Sequence, residues 1–143
     1  MSNLEGIRVA VTGEHRTPSQ TVGNVLAIVN EIEAMLDELV AGGPGASIDL
    51  RSLPMSPHDY EVLRQVLGDG EVSAVVQALG PTHVRETAVS GVWWVSHCNG
   101  DDQIVAEFIE IAQAPAILMT HPDDLCDAKN TLRAQLSRVV QTE

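Results

Sequence analysis

Apolar positions recur about every four residues at the two ends of this chain and every second residue in between. Thr17-Pro18-Ser19-Gln20 reads as a capping box, with threonine as the N-cap, proline at the first helical position and glutamine three residues on. Val22, Leu26, Val29, Ile32, Leu36, Leu39 and Val40 then predict one apolar stripe opposite Glu31 and Glu38, and Gly42-Gly43-Pro44-Gly45 stops the helix. Residues 46–50 suit a short strand. Ser56-Pro57-His58-Asp59 opens a second helix with Tyr60, Leu63 and Leu67 on its apolar side, and Gly68 and Gly70 end it.

Beyond that point the period falls to two, predicting strands over 71–79, 83–89, 92–97 and 104–111. Gly80-Pro81 and Asn99-Gly100-Asp101-Asp102 are the turns, the second a strong hairpin signal. After Thr120-His121-Pro122-Asp123-Asp124 a last helix is expected, its stripe made of Leu125, Ala128, Leu132, Leu136 and Val139. A further strand over 7–11 is a weaker signal. This order lacks regular βαβ alternation. It predicts an α+β fold, an antiparallel four- to five-stranded sheet with three helices packed mainly on one face. No repeat, low-complexity tract or linker divides residues 1–143, so a single domain is expected, with 1–17 leading into 18–143.

Composition narrows the function classes. Aromatic residues make up only 3% of the 143, so Val, Leu, Ile and Ala must fill the core and each aromatic side chain carries unusual weight. Twenty acidic against eight basic residues give a net charge of −12, which repels nucleic-acid phosphates and anionic lipid and draws basic protein segments. No apolar run reaches the roughly twenty residues needed to span a bilayer, and the first residues lack signal-peptide character, so a cytoplasmic location is expected. Cys98 and Cys126 lack C-x-x-C spacing and are read as free thiols.

Candidate chemistry is sparse. Trp93 and Trp94 are adjacent in a strand, so their rings must leave opposite faces of the sheet. If helices cover one face, one ring is expected to meet solvent and anchor a partner, unless loops, another helix or a second copy of the chain covers it. Glu107 interrupts the apolar row of Val105, Ile109 and Ile111, and Glu110 that of Ile104, Ala106 and Phe108. A buried carboxylate needs a partner, and Arg85 on a neighbouring strand is the expected one; Glu86, beside Val84 and Ala88, invites the same reasoning. His97 and Cys98 point to opposite sides of a strand and do not converge as metal ligands, so no metal or cofactor is expected. Gly68-Asp69-Gly70 follows a helix and precedes a strand, the reverse of a phosphate cradle. No nucleophile–base set stands out, and catalytic residues are not assigned.

Several motifs, in order, resemble one family. Leu50-Arg51-Ser52-Leu53-Pro54-Met55-Ser56-Pro57, Leu67-Gly68-Asp69-Gly70-Glu71-Val72, Glu86-Thr87, Gly91-Val92-Trp93-Trp94-Val95 and Glu107-Phe108-Ile109-Glu110-Ile111 resemble the C-terminal domain of the HupH/HyaF hydrogenase expression proteins, from about Val22 to the end. The resemblance implies a non-enzymatic accessory protein in nickel–iron hydrogenase maturation. It would act as a chaperone of the iron–sulfur small-subunit precursor before export, alongside a thioredoxin-like maturation protein. Longer family members carry a further N-terminal region, whereas about seventeen residues precede the first capped helix here. The partner-binding residues expected on this reading are Trp93, Trp94, Glu86, Asp101, Asp102, Glu107 and Glu110. The rival readings are a small carboxylate/histidine enzyme or ligand-binding domain, and a homo-oligomeric structural module, such as a homodimer that buries the extra tryptophan against itself.

Overall fold

The computed structural model describes residues 18–142. The capping threonine Thr17 and the strand expected over 7–11 lie outside the described residues. Helix α1 (Pro18–Val40) leads to strand β1 (Ala46–Asp49), a single 3-10 turn (Leu50–Ser52) and helix α2 (Pro57–Leu67). Strands β2 (Ser73–Gln77), β3 (Pro81–Glu86), β4 (Val92–Cys98) and β5 (Ile104–Ile111) follow, then a 3-10 turn (Ala116–Leu118) and helix α3 (Pro122–Val140).

Local chemistry accounts for the boundaries. Ser56 caps α2 by accepting from the Asp59 backbone N–H at 3.1 Å while the Asp59 carboxylate takes the Ser56 N–H at 2.7 Å, a complete capping box behind Pro57. Gly68, at φ 66°, turns the chain out of the helix through a conformation that a side chain resists. In the β4–β5 hairpin the Asn99 side-chain oxygen accepts from the N–H groups of Asp101 and Gln103, both at 3.0 Å, and Asp102 sits at φ 59°. Strands β2 and β3 are shorter than the alternation suggests. Pro81 tolerates only the first position of β3, and past Glu86 the Thr87 hydroxyl bonds the Val92 carbonyl at 2.9 Å, folding the chain into the turn before β4.

The five strands are antiparallel throughout, in the order β1-β5-β4-β3-β2. Strands β2 to β5 form a meander, and β1 closes the far side of β5 through pairs such as Ile48 with Ile109. On one face, Ile48, Val92, Trp94, Ile109 and Ile111 meet Val25, Ile28 and Ile32 of α1 and Leu63 and Leu67 of α2 in the main core. The other face has a smaller cluster, Val84, Trp93 and Val95. The α+β antiparallel architecture is as expected. Helices α1 and α2 form the cover, while α3 has no buried residue.

One face was expected in the wrong place. Val22, Leu26 and Val40, assigned to the buried stripe of α1, are exposed, and Val25 and Ile28 take the core positions with Ile32. Apolar residues surround α1 on more than one side, so two overlapping stripes exist in its sequence, and packing against α2 and β5 selects one.

Candidate functional site

The pleat does send the two indoles to opposite faces: Trp94 pairs with Arg85 and Ile109 over the helices, and Trp93 with Glu86 and Glu110 on the outer side. Neither ring is exposed. Each retains 7% of its accessible surface, which corrects the expectation of an outward-facing anchor. Trp94 is enclosed in the two-helix core, as its sheet face requires. Trp93 is held by the segment after β5, where its indole N–H donates to the Ala112 carbonyl at 3.0 Å. Glu110, half-buried on the same face, accepts from the Ala116 N–H at 2.9 Å and ties this segment down a second time, with Pro115 buried between the two ties. A stretch of backbone covers the outer ring where a helix would otherwise be needed.

Glu107 is also buried, at 6% exposure, and is satisfied by a different partner from the one expected. Its Oε2 accepts from the Trp94 indole N–H at 2.8 Å and from the Ser96 hydroxyl at 3.4 Å, and lies 3.6 Å from an Arg64 guanidinium nitrogen. Arg64 is centred 5.0 Å from the Trp94 ring, so one guanidinium faces both the carboxylate and the indole. Arg85 instead pairs with Asp69 at 3.0 Å on the surface, where solvent leaves such a pair little net strength. Register explains the exchange. Glu107 stands opposite Ser96, whereas Arg85 stands opposite Trp94 with the whole of β4 between them, and α2 delivers Arg64 from above. Its place one residue after Leu63 and four after Tyr60, on the flank of the apolar stripe, was the available signal. Burial first, and the Glu107 charge second, raise the Tyr60 phenol above its ordinary pKa, keeping it a donor to the Leu50 carbonyl at 3.2 Å.

Above this network lies a cleft of about 460 Å³. Arg64 and Asp69 form one wall, His83, Arg85 and Ser96 lie along the sheet above the buried Trp94, and Asp102 and Cys98 stand toward the β4–β5 hairpin. Polar and apolar groups share the lining. Among the described residues no side-chain hydrogen bond joins His83 to Ser96 or Cys98, so no primed nucleophile is assembled there. His97 is on the outer face, bonded through Nδ1 to the Thr82 hydroxyl at 2.8 Å and edge-on to Phe108, away from Cys98. No group of three His, Cys, Asp or Glu side chains among the described residues is placed to hold a metal.

The structure therefore divides the seven expected partner-binding residues. Trp94, Asp102 and Glu107 belong to the cleft or the network beneath it. Asp101 is exposed at the hairpin tip beside them, and Glu86, half-buried at the end of β3 on the face of Trp93, reaches the cleft border, where its side chain accepts from the Glu71 N–H at 3.3 Å. Trp93 and Glu110 lie on the opposite face.

The description HupH hydrogenase expression protein, C-terminal conserved region, matches residues 22–139. The chain belongs to this family. Among HupH relatives, the hydrogenase expression/formation protein HoxQ of Azotobacter vinelandii is 32% identical over 103 residues, 71% of this chain and 36% of that protein. The hydrogenase expression/formation protein HupH of Rhizobium leguminosarum bv. viciae is 29% identical over 110 residues, 77% of this chain and 39% of its own length. The solved hydrogenase expression protein HupH from Thiobacillus denitrificans ATCC 25259 is 37% identical with a TM-score of 0.76, over 81% of this chain and 97% of that one. The chain spans less than half the length of the curated relatives it matches. Among the described residues no helix is long and apolar enough to cross a membrane.

Proposed function

We propose that this HupH-type domain is a non-enzymatic accessory factor in nickel–iron hydrogenase maturation, holding the iron–sulfur small-subunit precursor in the cytoplasm before export. The family match across residues 22–139 is the observation that carries this reading. A mixed cleft flanked by acidic groups offers a means. A chain of net charge −12 attracts a basic client segment, and Asp101 and Asp102 at the hairpin tip, with Glu86 at the cleft border, orient it as it arrives. Trp94, buried at the base of the cleft, backs the bound segment from inside the domain and does not anchor it. Trp93, Glu107 and Glu110 act from inside the domain, by holding the surface in shape, and a thioredoxin-like maturation protein joins the same assembly.

Titration calorimetry of the purified chain against purified small-subunit precursor tests the proposal. Binding should weaken as salt rises, and replacing Asp101 and Asp102 together by Asn should lower affinity several-fold, mainly by slowing association. Absence of complex formation with a correctly folded chain, under low-salt conditions in which a full-length HupH relative binds the same precursor, would refute it.

A further inference from the structure

We infer that α3 is a self-association element, pairing antiparallel with α3 of a second copy of this chain about a two-fold axis. The stripe Leu125, Ala128, Leu132, Leu136, Val139 advances by steps of three and four residues, the spacing of a helix seam. Among the described residues nothing covers the stripe: Leu132, at its middle, keeps 67% of its surface, and no residue of α3 is buried. Helix nucleation is costly, and in proteins most helical stability comes from packing an apolar face rather than from intrinsic propensity. A 19-residue helix with every apolar side chain exposed is therefore incomplete by itself.

Charge identifies the occupant. Asp123, Asp124 and Asp127 come first along α3, and Lys129, Arg133 and Arg138 follow them, which leaves the N-terminal half net acidic and the C-terminal half basic. A parallel pair would set acids on acids and bases on bases, whereas an antiparallel pair sets each acidic half against a basic one. Asp124 and Arg138 each precede a stripe residue by one position, Leu125 and Val139, so they share a flank. Two-fold pairing brings Asp124 of each copy to Arg138 of the other, with Leu132 near the axis. The three acids and three bases also leave α3 electrically balanced in a chain of net charge −12, so the helix does not repel its copy and has no excess field for a basic client. Ala128, the small residue of the seam, allows the helices to approach closely.

Sedimentation equilibrium of the full chain tests this without any hydrogenase component, so its outcome is separate from that of client binding. The expected mass is twice the 15.3 kDa of one chain. Leu132→Asp should give a monomer whose remaining fold is intact by thermal unfolding, because Leu132 is outside both core clusters. Asp124→Arg and Arg138→Asp should each weaken the dimer by about tenfold through like-charge contact, and the double variant should restore it. A monomeric wild type at about 100 μM, a dimer that survives Leu132→Asp, or failure of the double reversal to restore association would each overturn the inference.

Discussion

Trp93 and Trp94 are neighbours in the chain, equally buried, and supported in different ways. Trp94 is one of eleven buried residues in the main core and donates to a buried carboxylate that also faces Ser96 and Arg64. Trp93 shares its cluster with the buried Val84 and Val95 and the partly buried Ala74, and donates to a main-chain carbonyl. Two helices and a charge network enclose the first, whereas a loop encloses the second. A sheet can therefore close both faces at very different cost in chain, and the lightly covered face depends on a few specific hydrogen bonds rather than on bulk packing.

Truncating Trp94 to Ala tests the heavier side and should produce the largest loss, about 3–5 kcal/mol of folding stability by denaturant titration. A loss no greater than that of Trp93→Ala would break the distinction between the faces. Phenylalanine substitutions sharpen it: both lose the same ring volume on going from indole to phenyl, so the difference between them reports the lost donor. Trp94→Phe deprives Glu107 of a charge-assisted bond and should cost about 1.5–3 kcal/mol, while Trp93→Phe gives up a neutral bond worth about 0.5–1.5 kcal/mol. Equal effects would mean that the carboxylate adds nothing to the Trp94 site.

The smallest effect concerns pH. Because Tyr60 has a raised pKa when folded, its neutral form is favoured by the native state. The associated stabilisation is present below the ordinary phenol value near 10 and is lost as pH climbs through the folded value. Unfolding curves of Tyr60→Phe should accordingly fall less steeply than wild type above about pH 10, with the two parallel at neutral pH. Identical slopes would remove the phenol from the alkaline response.

Local chemistry made much of this fold readable in the sequence. The apolar run behind the Asn99 turn, interrupted once on each face by Glu107 and Glu110, located β5 at Ile104–Ile111 to the residue, and the Ser56–Asp59 box located the start of α2. Features that depend on distant chain were not readable. The choice between two stripes on α1 is made by α2 and β5, the partner of Glu107 arrives on a helix rather than a strand, and Trp93 is held by a carbonyl, which has no side-chain signature. The same limit applies to the cleft. Asp102 was recognisable from its turn, but His83, Arg64 and Ser96 become neighbours only once α2 lies beside β3 and β4.

The strand order also bears on the time course of folding. Each neighbour pair from β2 to β5 is joined by a short connection, so the meander can zip up through local encounters, whereas β1 reaches β5 only after α2 and three strands have intervened. Docking of α1 and β1 is thus the expected late event. Lesions at Ile48 should chiefly hasten unfolding, and lesions at Val95 should slow refolding, a contrast that stopped-flow chevrons can resolve.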